Sequence, residues 1–282
     1  MSSDEPNTDL LEKATESSSL KTRIEKNEQA QELDFIGWIF DHLDINAGER
    51  VLELCCGTGS QTVEFLDRVG EEGHVVAVDV SAESLEALED RVEDDKQPRL
   101  TTIEADVMEI ESALVEAGYD ETMFDIVFCA YGLYYPDEPL TVLENASKFL
   151  APEGSITIVG PFGPNNGPWF SLLSEAGVEL PELVRYSSST FMTETVVPWA
   201  AENFEHLAVE TAVNHIERTS ADELFEYWES STYFDQERAG AVQKILDDYF
   251  ASADRLVNRK WIMHLTMRNQ REIDAVLDWR SG

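Results

Sequence analysis

Glu53 stands four residues ahead of Gly57, and Gly57-Thr58-Gly59 opens a turn. An acid followed at that spacing by two glycines can hold a polar ligand from two sides. The carboxylate accepts hydrogen bonds, and glycines without a Cβ let backbone amides come close. The flanking residues say how the turn is carried. Val51-Leu52-Glu53-Leu54 is a short apolar run of the buried-strand kind, and Gln61-Thr62-Val63-Glu64-Phe65-Leu66 resumes at helical spacing. A helix starting there offers free N–H groups to an anionic group. A second acid, Asp79, ends the run Val75-Val76-Ala77-Val78 about 20 residues after the turn, where a carboxylate accepts both hydroxyls of a ribose. The pattern is built to hold a nucleoside.

The elements that must position these groups follow in order. Residues 1–18 read as a flexible acidic tail, and residues 20–44 as amphipathic N-terminal helices, with Arg23, Asn27 and Gln31 on one solvated face. After the two opening strands come a helix over 83–92, a third strand over 100–107, a short helix over 108–115 and a fully buried fourth strand over 124–130. A helix over 140–150, a turn at Pro152-Glu153-Gly154 and a fifth strand over 155–160 complete the alternation. Strands alternating with helices at this spacing predict a doubly wound, mostly parallel α/β sheet. Past residue 160 the rhythm changes. A turn-rich loop over 161–170 lies at the carboxyl end of a strand, where such sheets bind ligands. Helices near 169–176 and 191–203, a sixth strand over 207–216, a helix opened by Ser220 and Glu223, another over 236–257 and a seventh strand over 261–267 follow. The expected organisation is one domain over 19–282, divided into N-terminal helices (19–47), a ligand-binding half (48–160) and a substrate side with a helical cap (161–282).

Composition excludes several classes. With 57 acidic against 20 basic residues the net charge is −37, spread along the whole length rather than held in a tail. Such a surface suits a salt-loaded cytoplasm and disfavours nucleic acid, as does the lack of a basic patch interleaved with aromatics. Three cysteines, two of them adjacent, make neither a disulfide framework nor a metal site. The polar start has no signal peptide, and no apolar run reaches the length of a membrane span. The expectation is a cytoplasmic protein without a metal; composition leaves its oligomeric state open.

The dinucleotide fingerprint needs a third glycine, and Thr62 stands in its place. Glu53-Leu54-Cys55-Cys56-Gly57-Thr58-Gly59 instead resembles motif I of the class I S-adenosylmethionine-dependent methyltransferases. The resemblance holds in register over about 110 residues: Asp79, then Ala105-Asp106-Val107, then Phe124-Asp125-Ile126-Val127, then Leu150-Ala151-Pro152-Glu153-Gly154. It implies a seven-stranded Rossmann-like sheet whose last strand is antiparallel, and S-adenosylmethionine as cofactor. Carried residue by residue, it implies that Glu53 and the backbone of Cys55, Gly57, Thr58 and Gly59 hold the amino and carboxylate groups. Asp79 takes the ribose hydroxyls, Val80 packs on the adenine, Asp106 accepts from its amine, and Ala105 and Val107 flank it. Cys129 and Ala130 line the path to the sulfonium. The chain departs from the family at Cys55, where glycine is common, and a Cβ there is expected to crowd the methionine moiety. Asp106 equally suits a helix cap.

A sulfonium is already a strong electrophile, so methyl transfer to a small-molecule acceptor is an in-line displacement governed by alignment and exclusion of water. Tyr131, Tyr134 and Tyr135, just past the fourth strand, are the candidates for a cation–π wall. Of the five histidines, His215 near a strand end is the candidate base, against the plainer reading of a surface or core histidine. Phe225, Tyr227, Trp228, Tyr233 and Phe234 either line an acceptor pocket or form the core of the cap. The order of elements is similar to quinone- and sterol-modifying methyltransferases. A nicotinamide oxidoreductase and a silent cofactor-binding protein that works through a partner are the alternatives.

Overall fold

The computed structural model describes residues 31–271, so the expected acidic tail, Arg23 and Asn27 lie outside the described residues. Seven strands form one sheet: β1 (Arg50–Leu54), β2 (His74–Asp79), β3 (Leu100–Glu104), β4 (Phe124–Ala130), β5 (Leu150–Pro161), β6 (Phe204–Arg218) and β7 (Leu256–Gln270). Their order is β3-β2-β1-β4-β5-β7-β6. The first five pair in parallel, and β7 runs antiparallel to both neighbours. This is the expected Rossmann-like, mostly parallel seven-stranded sheet with its antiparallel last strand.

The apolar runs of β1, β2 and β4 are buried on both faces, as a covered parallel sheet requires. One layer packs α1 (Phe35–Asp41), α2 (Ser60–Val69) and α3 (Ala82–Arg91) through Ile39, Phe40, Phe65, Leu66 and Leu88. The other packs α4 (Ile110–Glu116), α5 (Pro139–Ser147) and α8 (Val197–Asn203) through Ile110, Val142, Leu143 and Trp199. A third apolar cluster forms the cap: α6 (Gly167–Glu175), α9 (Ala221–Glu229) and α10 (Ala239–Phe250) meet through Trp169, Leu173, Leu224, Trp228, Val242 and Leu246. The Ser220 hydroxyl accepts from Glu223 N at 3.2 Å, starting α9 as its residue types predict.

Several boundaries differ from the sequence reading, each for a physical reason. Pro152-Glu153-Gly154, expected as a turn, lies inside β5, where the register against β4 shifts between Phe124 and Ile126. A bulge absorbs the proline instead of ending the strand. Strands β6 and β7 each run 15 residues, well past the expected ranges. Edge strand β6 is largely exposed over Glu205–Glu210, so apolar periodicity there is faint. The helix expected over 191–203 is present, its first six residues (Phe191–Val196) wound as a π-helix that runs on as α8, whereas α7 (Glu182–Ser189) was not foreseen. The third strand stops at Glu104, because Asp106 Oδ1 accepts from Met108 N at 2.9 Å and caps the turn that follows.

Candidate active site

The site is assembled at the carboxyl ends of β1, β2, β3 and β4. Gly57 and Gly59 adopt φ of +54° and +76°, values that a side chain strains. A Cβ on Gly59 would strike the side chain of Leu88, so this turn can sit against α3 only with glycine there. Cys56 N donates to Val78 O at 3.1 Å and Gly57 N to Asp79 Oδ2 at 2.8 Å, which ties the turn to the end of β2. The other Asp79 oxygen accepts from Ser81 N at 3.0 Å. Each carboxylate oxygen keeps a second lone pair for a ligand hydroxyl. Val80, next in the chain, is a large apolar side chain left 46% exposed beside this acid.

Beneath the turn, Glu53 is buried, and its Oε2 accepts from the Thr62 hydroxyl at 2.6 Å. Burial pushes the carboxyl up to about 8, the Thr62 hydrogen bond opposes the rise, and the charge of Asp79 adds to it. Helix α2 begins at Gly59, which has no side chain to cap it, so first-turn amides point into the turn. The donor set thus suits a zwitterionic amino acid joined to a nucleoside. Helix N–H groups match a carboxylate, the buried acid matches an ammonium, the two-pronged acid matches a ribose, and exposed Val80 offers a face to a base.

Cys55 is a non-glycine residue at φ +55°, which explains why glycine is common at this position. Its side chain is turned into the end of β4. A Cβ on Gly132 would fall on the Cys55 Cβ, so the absence of a side chain at 132 is what admits the one at 55. Cys129 is fully buried beside it in the same core layer, whereas Cys56 belongs to the opposite layer.

Tyr131 also has a left-handed backbone, φ +59°, and its N donates to Val159 O at 2.9 Å. Its ring meets Phe35 of α1 edge-on at 5.6 Å. Burial, with Tyr227 of the cap adding, pushes its hydroxyl well above the usual tyrosine range. The structure separates the three candidate tyrosines. Tyr131 packs on the α1 side of the sheet, whereas Tyr134 packs on the other and stands edge-on to Phe191 at 5.8 Å, with Tyr135 beside it at 4.7 Å. His215 lies on edge strand β6, with Nδ1 3.2 Å from Glu32 Oε2. Ala105 N donates to Asp79 O at 3.0 Å, Val107 is buried, and Ala130 packs with Tyr131 on the α1 layer.

Three functional contacts escaped the sequence reading. Phe35 meets Tyr131 edge-on, and Gly132 makes room for Cys55. The third is Arg218, buried at the end of β6: its Nη1 lies 3.2 Å from Oε1 of Glu223, the helix-opening acid, and its guanidinium sits 5.3 Å over the Tyr227 ring. A buried arginine at a strand end, held by the cap, has no local sequence signature. Of the insertion aromatics, Trp228 is cap core, while Phe225, Tyr227, Tyr233 and Phe234 are partly buried against it.

An open sheet of this order, with a glycine turn after β1 and an acid ending β2, is a Rossmann-like fold of the kind its structural neighbours share. The particular family is consistent with it: residues 51–154 match the family described as "Methyltransferase domain". The demethylmenaquinone methyltransferase of Oceanobacillus iheyensis is 28% identical over 117 residues, 42% of this chain and 46% of that protein. The 2-phytyl-1,4-naphtoquinone methyltransferase of Trichormus variabilis is 30% identical over 120 residues, 42% of this chain and 49% of that protein. The chain spans about half the length of the curated relatives it matches. Among solved structures, the YcgJ protein of Bacillus subtilis superposes with TM-score 0.57 at 12% identity, covering 84% of this chain and 98% of that one. A Bacillus halodurans protein assigned as a methyltransferase gives 0.58 at 14% identity, covering 85% and 100%. At those identities the likeness concerns the fold. Among the described residues, no helix is long and apolar enough to cross a membrane, and no cluster of potential ligands could hold a metal.

Proposed function

We propose that this chain transfers the methyl group of S-adenosylmethionine to a small, largely apolar acceptor, with a quinol-like ring as the leading class. The observation that carries the reading is the lock between Gly57 N and Asp79 Oδ2, which sets a glycine turn and a ribose-binding acid at one spacing. The relatives named for quinone methylation support the acceptor class.

In this reading Glu53 faces the ammonium, and Thr58 N with the first-turn amides of α2 takes the carboxylate, while the backbone of Cys55, Gly57 and Gly59 shapes the turn, the Gly57 and Gly59 amides donating to Asp79 Oδ2 and Cys56 O. Asp79 holds the ribose, while Val80, Ala105, Asp106 and Val107 surround the adenine. When bound, the cofactor supplies an electrophilic methyl on a sulfonium. What the chain itself does is orient and exclude water. Cys129 and Ala130, at the end of β4, border the transfer path. Tyr131, held protonated by burial, donates a hydrogen bond to the acceptor rather than acting as a base, and with Phe35 it presents an aromatic wall. Tyr134 and Tyr135 stand on the opposite layer and close the far side. His215, engaged with Glu32, serves as base only if the acceptor reaches it. The acceptor enters between α1, the 161–170 loop and the α9–α10 cap. The charge of −37 fits work in a salt-rich cytoplasm, with no nucleic-acid partner. Neither a nicotinamide cofactor nor a silent role gains support from the geometry.

The test is turnover with radiolabelled S-adenosylmethionine against a panel of quinols, phenols and amines in molar KCl. Label entering a quinol supports the acceptor class. Label entering amines alone would replace it, and no transfer to any acceptor by a protein that binds S-adenosylhomocysteine would overturn the activity.

A further inference from the structure

The cradle carries two thiols that methyl transfer leaves unused. In the pairing of β1 with β4, Leu54 stands opposite Cys129, so Cys55 is one residue beyond the paired position. Neighbouring strands lie about 4.8 Å apart with a rise of about 3.3 Å per residue, which sets the two Cα atoms about 6 Å apart. Disulfides span roughly 4.4–6.8 Å between Cα atoms. Both sulfurs also face the same small space. The position a Gly132 Cβ would occupy is 2.7 Å from Cys55 Sγ and 3.5 Å from Cys129 Sγ. Cys56 is excluded from the pair, since its thiol donates to Gly57 O at 3.6 Å and packs on the other layer.

We propose that Cys55 and Cys129 are a modifiable dithiol at the cofactor cradle, oxidised to an intramolecular disulfide by small neutral disulfides, and that the bond shuts off cofactor binding. The second half rests on the proposed function; the cross-link itself does not. Cys55, half-buried where Cys129 is fully buried, is the thiol an oxidant reaches. The Cys55 thiolate attacks the small disulfide and releases one small thiol, which takes up the proton. The Cys129 thiolate then attacks the Cys55 sulfur of the mixed disulfide and expels the second. Two protein thiols are oxidised, and one small disulfide is reduced to two thiols. A neutral reagent is specified because the charge of Asp79 acts on Cys55 and disfavours an anionic reagent there. The hydrogen bond with Cys129, then burial, hold the Cys55 thiol well above its ordinary range, which makes its attack on a disulfide slow. The bond ties the Cys55–Gly59 turn, which the proposed function assigns to the cofactor, to the end of β4 and fills the space the two thiols share.

The experiment treats the full-length protein with 2-hydroxyethyl disulfide, then denatures it and alkylates it with iodoacetamide. Intact mass and peptide mapping count the thiols, and S-adenosylhomocysteine affinity is measured on the same samples. The reduced protein should take up three alkyl groups, matching its three cysteines, and the oxidised protein one, on Cys56, with a peptide joining Cys55 to Cys129. Affinity should fall at least tenfold on oxidation and return with dithiothreitol. Three alkyl groups after oxidation, a persisting mixed disulfide on Cys55, or a link through Cys56 would overturn the dithiol. A Cys55–Cys129 link with unchanged affinity would overturn its regulatory role. A reduced protein that binds no S-adenosylhomocysteine would count against the proposed function, while the thiol count would still judge the dithiol.

Discussion

The amide of Gly57 donates to Oδ2 of Asp79 at 2.8 Å, so the turn after β1 and the acid that ends β2 are one unit rather than two neighbouring motifs. Asp79 therefore shapes the turn, and in the proposed function it also meets a ribose. Replacing it by alanine should weaken S-adenosylhomocysteine at least about 100-fold, since hydrogen bonds to a charged group contribute roughly 1.5–3 kcal/mol each. Asp79→Asn keeps one acceptor and should fall between the two. Calorimetry on both variants checks the order. Equal affinity in wild type and Asp79→Ala would remove Asp79 from the site.

In the proposed function Glu53 links cofactor binding to pH. Its folded value of about 8 lies above the ordinary 4.5, so between those values the folded protein holds a proton that the unfolded chain has released. Stability from this group is present below 4.5 and lost as pH rises towards 8, at up to about 1.4 kcal/mol per pH unit. Glu53→Gln should lack this slope. Denaturant melts of both proteins across the window should diverge in favour of the variant as pH rises; parallel curves would show that Glu53 does not titrate there. Because an ammonium favours the ionised acid, wild-type affinity for S-adenosylhomocysteine should also climb towards pH 8, and the variant's should not.

His264 acts in the opposite sense. It is buried on β7, edge-on to Trp38 at 6.0 Å, and its Nε2 has no hydrogen-bond partner. Burial, with the His42 ring 5.9 Å away, lowers it from 6.5 to about 4. The unfolded chain therefore takes up a proton first, and stability is lost as pH falls from 6.5 to 4. His264→Leu should hold its melting temperature over that range better than the wild type, as differential scanning calorimetry can read.

How much of this was legible in the sequence depends on distance along the chain. Glu53, Gly57, Gly59 and Asp79 were readable because strand, turn and helix signals are local and the acid follows at a fixed interval. The strained backbone of Cys55 was foreshadowed by the usual glycine, but its accommodation by Gly132 was not, since 77 positions separate them and only the β1–β4 pairing joins them. The three tyrosines 131, 134 and 135 looked like one wall, and a left-handed residue at Tyr131 sends them to different layers. Phe35, Arg218 and Tyr227 meet the site only through α1 and the cap, contacts that no window of sequence contains.

Tyr131→Phe should leave S-adenosylhomocysteine affinity unchanged and lower kcat/KM for the acceptor roughly tenfold, the effect of one lost hydrogen bond of about 1.4 kcal/mol. Steady-state kinetics with a turned-over quinol decides it. An unchanged kcat/KM would leave Tyr131 with a packing role against Phe35 alone.

The acidic surface should make stability depend on salt. Melting temperature should rise from dilute buffer to molar KCl, as carboxylate repulsion is screened. A protein that melts lower in molar KCl would not belong to a salt-rich cytoplasm.

The most direct test of the central claim is calorimetric titration of the reduced protein with S-adenosylhomocysteine and, separately, NADH in molar KCl. The structure-based account predicts a one-to-one complex with S-adenosylhomocysteine that is lost in Asp79→Ala, and no heat with NADH. Binding of NADH, with silence towards S-adenosylhomocysteine in a folded sample, would contradict it.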